Sequence, residues 1–155
     1  GNTNQQWILL YKATKDGFDA ASFHRLCDGK GPTMTIIQSN SNDLFGGYTS
    51  VPWSQDGACH SDTTAFLFTL INPYQIQPTK FISNGSNLDH IVRHPTHGPT
   101  FSRGRDIHIS SKSNVNNSSY TNFPSTYADT TGKGKETFTG ALNFTTSDIE
   151  VFGLA

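Results

Sequence analysis

The stretch HGPTFSRGRDIHIS, residues 97–110, holds two histidines, two arginines and an aspartate within fourteen residues. Histidine and aspartate are common acids and bases in enzymes, and an arginine pair can clamp an anionic or hydroxyl-rich ligand by bidentate hydrogen bonds. A strand with a polar face would carry the same residue types without any chemical role. The stretch alone therefore leaves a catalytic site, a ligand-binding surface and an ordinary strand edge open.

Metal binding is one chemistry that the histidines could support. His90, His94 and His97 have an H-x3-H-x2-H spacing, which on a helix could place three ligands on one side. Pro95 interrupts this set, and the residues around it are typical of a loop. No cluster of cysteines or carboxylates completes a zinc site or a calcium cage. We therefore expect solvated loop histidines, with no metal and no cofactor.

Catalytic motifs are also missing from the sequence. There is no G-x-S-x-G turn, and neither cysteine lies in a recognisable Cys/His setting. GKGKET, residues 132–137, lacks the Lys-Ser/Thr ending of a phosphate loop and the apolar strand before it, which favours a flexible basic turn. Asp148 and Glu150 could pair as acid and base, but alternate charges on a solvated strand face explain them better. We predict that the chain is not an enzyme.

The arginines of the opening stretch have two possible roles. In DIHIS, residues 106–110, isoleucines alternate with polar residues, which predicts that His108 points to solvent. Arg103 and Arg105 precede this strand, and one of them could form a structural salt bridge with Asp106. The alternative is that they clamp a ligand. A structural role is favoured, and both remain open.

The composition limits the classes of partner. Only 15% of the 155 residues are charged, against about 25% in ordinary soluble domains, and the formal net charge is −1. Such a chain has no broad field to attract nucleic acid or anionic lipid. No apolar run approaches the roughly 20 residues that a membrane-spanning helix needs. The length fits a single domain over residues 1–155.

Cysteines and asparagines bear on the compartment. A disulfide between Cys27 and Cys59 is possible, but Cys27 lies four residues after Phe23 on a helical core stripe, which favours buried free thiols. Four N-glycosylation sequons hint at secretion, and they begin at Asn84, Asn116, Asn117 and Asn143. We expect an extracellular protein, with a cytoplasmic location as the alternative.

The pattern of elements predicts a mostly β fold. Apolar and β-branched runs indicate strands at residues 7–13, 33–38 and 106–110, and DIEVFGL closes the domain. The run AFLFTLI, residues 65–71, is the most hydrophobic and the expected central strand. Many short strands with turn-rich connections predict an antiparallel two-sheet β-sandwich with a few short flanking helices.

Three local features refine this fold. One helix is expected from an N-cap at Asp16, through Phe18 and Phe23 to Cys27, and the glycines that follow stop it. Gly46 and Gly47 interrupt a strand and predict a bulge or a close backbone contact. The polar segment at residues 110–135 is either a ligand-binding loop or a mobile one.

Several motifs together resemble the TLDc family. They are FHRLCDGKGPTMTII, LFGGYTSVPW, SDTTAFLFTL, GPTFSRGRDIHIS and the closing DIEVFGL, and they span nearly the whole chain in the family's order. The resemblance implies a β-sandwich with a binding or regulatory role, and no agreed catalytic residues come with it. It also implies links to oxidative-stress resistance and to the proton-pumping V-ATPase. The low charge of this chain departs from a typical cytosolic regulator.

Two hypotheses for function follow. The first is a lectin-like protein that binds glycans or glycoproteins, including sialylated or N-acetylated ones, and that forms an oligomer to agglutinate them. Its expected ligand-binding residues are Arg103, Arg105, Asp106, His108, Trp53, Asn117 and Tyr120. The alternative is an intracellular TLDc module that binds V-ATPase or another protein partner and supports oxidative-stress resistance.

Overall fold

The computed structural model describes residues 3–155. The strands of this part of the chain are β1 (Trp7–Lys12), β2 (Thr33–Ser39), β3 (Leu44–Thr49), β4 (Cys59–His60), β5 (Phe66–Ile71), β6 (Thr79–Ile82), β7 (Ile91–Val92), β8 (His97–Phe101), β9 (Ile107–Ser110), β10 (Ser119–Tyr120), β11 (Asn143–Phe144) and β12 (Thr146–Leu154). The helices are α1 (Ala13–Asp16), α2 (Ala20–Cys27) and a 3-10 turn at Gly134–Glu136.

The strands form two sheets of six. The first sheet has the order β1-β12-β2-β3-β5-β6, and the second has the order β11-β10-β9-β8-β7-β4. Every pairing between these strands is antiparallel. This confirms the predicted two-sheet β-sandwich with a few short helices.

The core fills the space between the sheets. The first sheet contributes the buried side chains of Ile37, Phe45, Leu67 and Val151, and the second contributes those of Phe101, Ile107 and Ile109. Burial in β2 alternates strictly along the strand, with every second residue buried, because successive side chains point to opposite faces of a sheet. The sequence pattern therefore decided which side of each strand meets the core.

The glycine pair in β3 is required by close packing. A Cβ on Gly46 would lie 1.8 Å from the carbonyl oxygen of Thr35, and one on Gly47 would lie 2.6 Å from the ring of Phe101. The predicted close contact is thus confirmed. The expected central strand, β5, lies inside the first sheet but only one position from its edge strand β6.

The helical region differs from the expectation. Gly17 adopts φ of +107° and separates two helices, so α2 begins at Ala20 with Asp19 as its N-cap residue. Asp16 instead belongs to α1, where its carboxylate accepts a hydrogen bond from the Lys12 backbone N–H at 2.9 Å. The predicted N-cap at Asp16 was therefore wrong, because a left-handed glycine stands between it and the helix that it was meant to begin.

The polar segment at residues 110–135 packs into the fold. It contains β10, and the side chains of Phe123 and Tyr127 are fully buried. Within residues 132–137 the expected flexible turn contains a 3-10 turn, whose Gly134 N–H donates to the Asp129 carboxylate at 2.9 Å. Small polar residues here serve turns and hydrogen bonds to the core.

Both cysteines are free thiols. Cys27 is buried on α2, and burial raises the pKa of its thiol to about 12. Cys59 is half-buried on the edge strand β4. The expectation of burial is therefore confirmed for Cys27 and not for Cys59.

Candidate functional site

The residues that sequence reasoning selected do not form one exposed site. Trp53, Asp106 and His108 are buried, Arg105 and Tyr120 are half-buried, and Arg103 and Asn117 are exposed. The structure brings Arg105, His108 and Tyr120 together through contacts to the Tyr120 side chain. The other four residues lie apart from this group.

Trp53 is a core residue. Its indole ring packs against the rings of Phe23, at 5.5 Å, and Phe101, at 5.7 Å between centroids. Its Nε1–H donates to the Thr33 hydroxyl at 3.0 Å, which satisfies the buried polar tip of the indole. With 1% of its surface exposed, the ring cannot stack on a sugar, which corrects its predicted role.

Asp106 is a structural acceptor. Its carboxylate accepts hydrogen bonds from the Ser102 hydroxyl at 2.8 Å and from the backbone N–H groups of Thr126 and Tyr127, each at 3.0 Å. Burial raises the pKa of Asp106, and these hydrogen bonds act against that rise. The side chain ties the segment after β10 to the start of β9 and is not available to a ligand.

His108 was expected at the surface, and this was wrong. The alternation in β9 does place it on the face opposite Ile107, but only 4% of its surface is exposed. The ring of His97 lies 4.5 Å from it and the ring of Tyr120 lies 4.8 Å from it, between centroids. Neighbouring rings on β8 and β10 therefore cover this outer face where water was expected.

These rings belong to a larger cluster, the histidine cluster, made of His94, His97, His108 and Tyr120. His94 stacks on His97 with ring centroids 4.0 Å apart and an interplanar angle of 18°. The backbone carbonyls of both residues lie 2.9 and 3.0 Å from Nε2 of His24, whose Nδ1 contacts Asp28 at 2.7 Å. The cluster thus joins α2 to the second sheet.

The electrostatics of the cluster favour uncharged imidazole rings at His97 and His108. Burial, together with the nearby His94 and Arg105 charges, lowers the pKa of His97 to about 4. Burial and the neighbouring His97 and Arg105 lower the pKa of His108 to about 3. A histidine with so low a pKa is neutral near pH 7, so it is a poor general acid.

The histidines are not arranged as ligands of an ion. Among residues 3–155, no group of three or more His, Cys, Asp or Glu side chains is placed to hold a metal. His90 was expected to be solvated, but it is buried. Its ring nitrogens have partners inside the protein, because Nδ1 accepts a hydrogen bond from the Asp62 N–H at 3.0 Å and Nε2 contacts the Ser83 hydroxyl at 3.1 Å. His90, His94 and His97 therefore hold loops together.

The two arginines engage different partners. Nη1 of Arg105 donates to the Tyr120 hydroxyl at 2.7 Å. Nε of Arg103 lies 3.0 Å from a carboxylate oxygen of Asp89, and 74% of the Arg103 side chain is exposed. The predicted salt bridge to Asp106 is replaced by these two contacts. The arginines thus do not converge as a clamp.

Both acids on β12 are held by a single lysine within the chain. Nζ of Lys12 donates to a Glu150 carboxylate oxygen at 2.6 Å and also to Asp148. Burial raises the pKa of Asp148, but the hydrogen bonds from Lys12 and from the backbone N–H groups of Thr14 and Ile149, with the charge of Lys12, together outweigh burial and lower the pKa overall. A general acid needs a raised pKa, so the pair behaves as a structural ion cluster.

A different surface is exposed and was missed by sequence reasoning. It is the outer face of the first sheet, which we call the outer apolar face. Its members are the outward-pointing side chains of Leu9, Met34, Ile36, Tyr48, Phe66, Phe68, Ile82 and Phe152. Leu9 and Ile82 are exposed, Phe68 is buried under its neighbours, and the others are half-buried.

Strand register builds this surface as one continuous row. Paired positions run across all six strands, in the order Leu9, Phe152, Met34, Tyr48, Phe66 and Ile82. Tyr48 and Phe66 stack with ring centroids 5.1 Å apart, and Nζ of Lys80 lies 4.1 Å above the Phe66 ring. Leu9 is 45% exposed and Ile82 is 61% exposed at the two edges. Contiguous apolar patches at a protein surface mark sites of protein or ligand binding.

A sequence signal for this face was present. In TMTIIQ, Met34 and Ile36 alternate with the buried Thr35 and Ile37, so both faces of β2 carry apolar side chains. A strand that is apolar on both faces is typical of a sheet covered on both sides. The apolar residues of β2 were predicted to lie in the core, and no second apolar surface was inferred from them.

The described chain is thus an antiparallel sandwich whose first sheet has a partly exposed apolar outer face. No helix within residues 3–155 is long and apolar enough to cross a membrane. The profile of the TLDc domain matches residues 1–155, and the chain belongs to the TLDc family.

Two curated relatives are longer proteins. The zebrafish (Danio rerio) protein "MTOR-associated protein MEAK7" is 31% identical over 71 residues, which are 44% of this chain and 15% of that protein. The mouse (Mus musculus) protein of the same name is 29% identical over 69 residues, 43% of this chain and 14% of that protein. The match thus covers only a small part of either relative.

Proposed function

We propose that this chain is a non-catalytic TLDc module that binds a protein partner through its outer apolar face. The observation that carries the proposal is the row of paired apolar residues that crosses the whole first sheet, with Leu9 and Ile82 exposed at its ends. Burying apolar surface is the main driving force of protein association, and aromatic residues are enriched at interfaces.

A protein partner fits this surface better than a glycan. Sugars are held by converging polar groups with an aromatic ring beside them. Here Trp53 is buried, and the two arginines contact Tyr120 and Asp89 instead of converging. The outer apolar face offers Tyr48 and Phe66 among aliphatic neighbours, which is the chemistry of a protein contact.

Two partners are candidates. The name of the MEAK7 relatives associates those proteins with mTOR, which makes an mTOR-containing complex the first candidate for this chain. The TLDc family membership makes V-ATPase the second. The absence of a catalytic role is part of the same proposal, since Asp148 and Glu150 both bind Lys12 and the low pKa values of His97 and His108 keep these two rings neutral near pH 7.

The experiment compares two exposed apolar positions. Ile82→Asp places a charge on the outer apolar face, and Val115→Asp places the same charge on a turn elsewhere, where Val115 is 74% exposed. Binding to purified mTOR complex and to purified V-ATPase is measured by surface plasmon resonance. We expect Ile82→Asp to weaken binding about tenfold or more, because a buried unpaired charge is costly, and Val115→Asp to leave it unchanged. Equal binding by both variants would refute the surface, and failure of the unmodified chain to bind either complex would refute these partners.

A further inference from the structure

We propose that, in the isolated protein, the outer apolar face is covered by a second copy of this chain in a two-fold symmetric dimer. The inference rests on the proposed function in that it uses the same surface, and it names the molecule that occupies the face when no other partner does. Charge and shape along the paired rows carry the inference.

The first observation is a row with opposite charges at its two sides. Paired positions cross the six strands in the order Lys12, Glu150, Ile36, Gly46, Phe68 and Lys80. Glu150 and Asp148 share the single ammonium group of Lys12, so this side carries a net negative charge. Lys80 lies at the other side, on the edge strand β6, with its ammonium group over the Phe66 ring and no salt bridge to any residue between 3 and 155. The apolar residues lie between the two charges.

The second observation is that Gly46 lies midway between Glu150 and Lys80, two strands from each. Consider two copies placed with these faces together and related by a two-fold axis that runs parallel to β3 between them. Each residue then lies opposite a residue of the second copy that is equally far from β3, but on the other side of it. Lys80 of one copy then faces Glu150 of the second, and the reverse pair forms at the same time. A two-fold interface needs such self-complementarity, and this row provides it.

The neighbouring row obeys the same symmetry. With Tyr48 on the axis, Phe66 faces Met34 of the second copy and Ile82 faces Phe152 of the second copy. Apolar side chains therefore meet apolar side chains along this row. On the axis itself, Tyr48 meets Tyr48 of the second copy, and Gly46, which lies beside Phe68, adds no side chain between the sheets.

The size of the face predicts a weak dimer. A third row on the same face contains Asp148, Gln38 and Leu44. Six strands about 4.8 Å apart and three rows about 6.6 Å apart span about 500 Å². Two such faces bury about 1,000 Å² in total, at the lower limit for specific interfaces. Interfaces at this lower limit are weak and transient, so a protein partner that binds more tightly can displace the second copy.

The experiment exchanges the two charges between chains. Lys80→Glu and Glu150→Lys are each prepared, and circular dichroism melting checks that each is folded. In a two-fold dimer each single variant meets two like-charge pairs, whereas a mixture of the two variants restores both opposite pairs. Sedimentation velocity of the unmodified chain should show a dimer that grows with concentration. Each variant alone should associate about tenfold more weakly, and the equimolar mixture should regain the dimer.

A cross-linking variant covers the case in which a charge change unfolds the chain. Tyr48→Cys in a Cys59→Ser background places a thiol on the axis, opposite its own copy. Facing sheets lie about 10 Å apart, so a bismaleimide of that length should join two such chains. Val115→Cys in the same background is the control, and it should remain monomeric.

The outcomes separate this inference from the proposed function. Regained association of the mixture, or selective cross-linking at residue 48, supports the second copy. A monomeric unmodified chain at high concentration, or a mixture that stays as weak as its components, overturns it. The effect of Ile82→Asp on partner binding is measured separately. The dimer can therefore be refuted while the binding of a protein partner to the same face still stands.

Discussion

The imidazole rings of His97 and His108 lie 4.5 Å apart, nearly perpendicular at 83°, on the outer side of the second sheet. His94 stacks on one end of this pair and Tyr120 closes the other. The contact replaces water with rings, and it makes the fold depend on the protonation of buried bases.

We predict that the chain loses stability as pH falls below about 6.5, where unfolded histidines become protonated. The folded pKa values of His97 and His108 are lowered to about 4 and about 3, so the unfolded chain binds more protons in this window. Protonation therefore favours unfolding, and the stabilisation is complete only above the unfolded pKa. Urea unfolding at about pH 7.5 and about pH 5 measures the difference.

A variant assigns this pH dependence to the cluster. His108→Gln removes one buried base and should flatten the dependence, whereas His60→Gln, on the edge strand β4, should retain it. An identical pH dependence in His108→Gln and the unmodified chain would exclude His108 as its source.

Arg105 should tune the same histidines. Its positive charge is one of the causes that lower the pKa values of His97 and His108, after burial. We expect Arg105→Gln to raise both values by part of their total shift, because burial remains. Imidazole resonances followed by NMR over a pH titration give the two values directly. Unchanged titration curves would show that the guanidinium has no influence on the cluster.

Asp106 should be essential for stability. In Asp106→Asn the amide keeps one acceptor oxygen but brings an NH2 group toward the N–H donors of Thr126 and Tyr127. We expect a loss of about 2–4 kcal/mol in the free energy of unfolding. Hydrogen exchange should quicken at residues 125–127. Asp89→Asn, at the exposed pair with Arg103, is the matched control and should change little; equal effects of the two changes would contradict the structural role of Asp106.

Gly46 should tolerate no side chain. Its added Cβ would meet the Thr35 carbonyl oxygen at 1.8 Å inside the first sheet, so Gly46→Ala should cost about 3 kcal/mol. Gly57 has φ of +74° with nothing within 4 Å of an added Cβ. Gly57→Ala should therefore cost only about 1 kcal/mol, through backbone conformation. Denaturant unfolding measures both, and a Gly46→Ala variant as stable as Gly57→Ala would mean that β2 and β3 can separate freely.

Much of the fold could be predicted from local patterns. The alternation in TMTIIQ and DIHIS placed Ile37, Ile107 and Ile109 on core-facing sides, and the glycine pair of β3 marked a close contact. The family followed from motifs spread along the chain in order. Such signals depend on residues that are near one another in sequence. In a strand, successive side chains point to opposite faces, so the pattern repeats every two residues.

The candidate site could not be predicted in the same way. His108 occupies the position of an outward-facing residue in the alternating strand DIHIS, and Trp53 has an aromatic ring of the kind that packs on sugars. Both side chains are nevertheless buried. Their cover comes from residues distant in sequence, such as Tyr120 over His108 and Phe23 beside Trp53. The partners of Arg103 and Arg105 likewise belong to other strands and loops.

By itself the sequence determined the two-sheet sandwich, its family and the side of most strands that faces the core, because the period of a strand is set by its own backbone. Only the tertiary structure decided what lies on the opposite side of each strand. One such side is closed by the rings of the histidine cluster, and the other remains open from Leu9 to Ile82. Alternation distinguishes two faces, but the strands that pair beside a residue decide whether its face meets water.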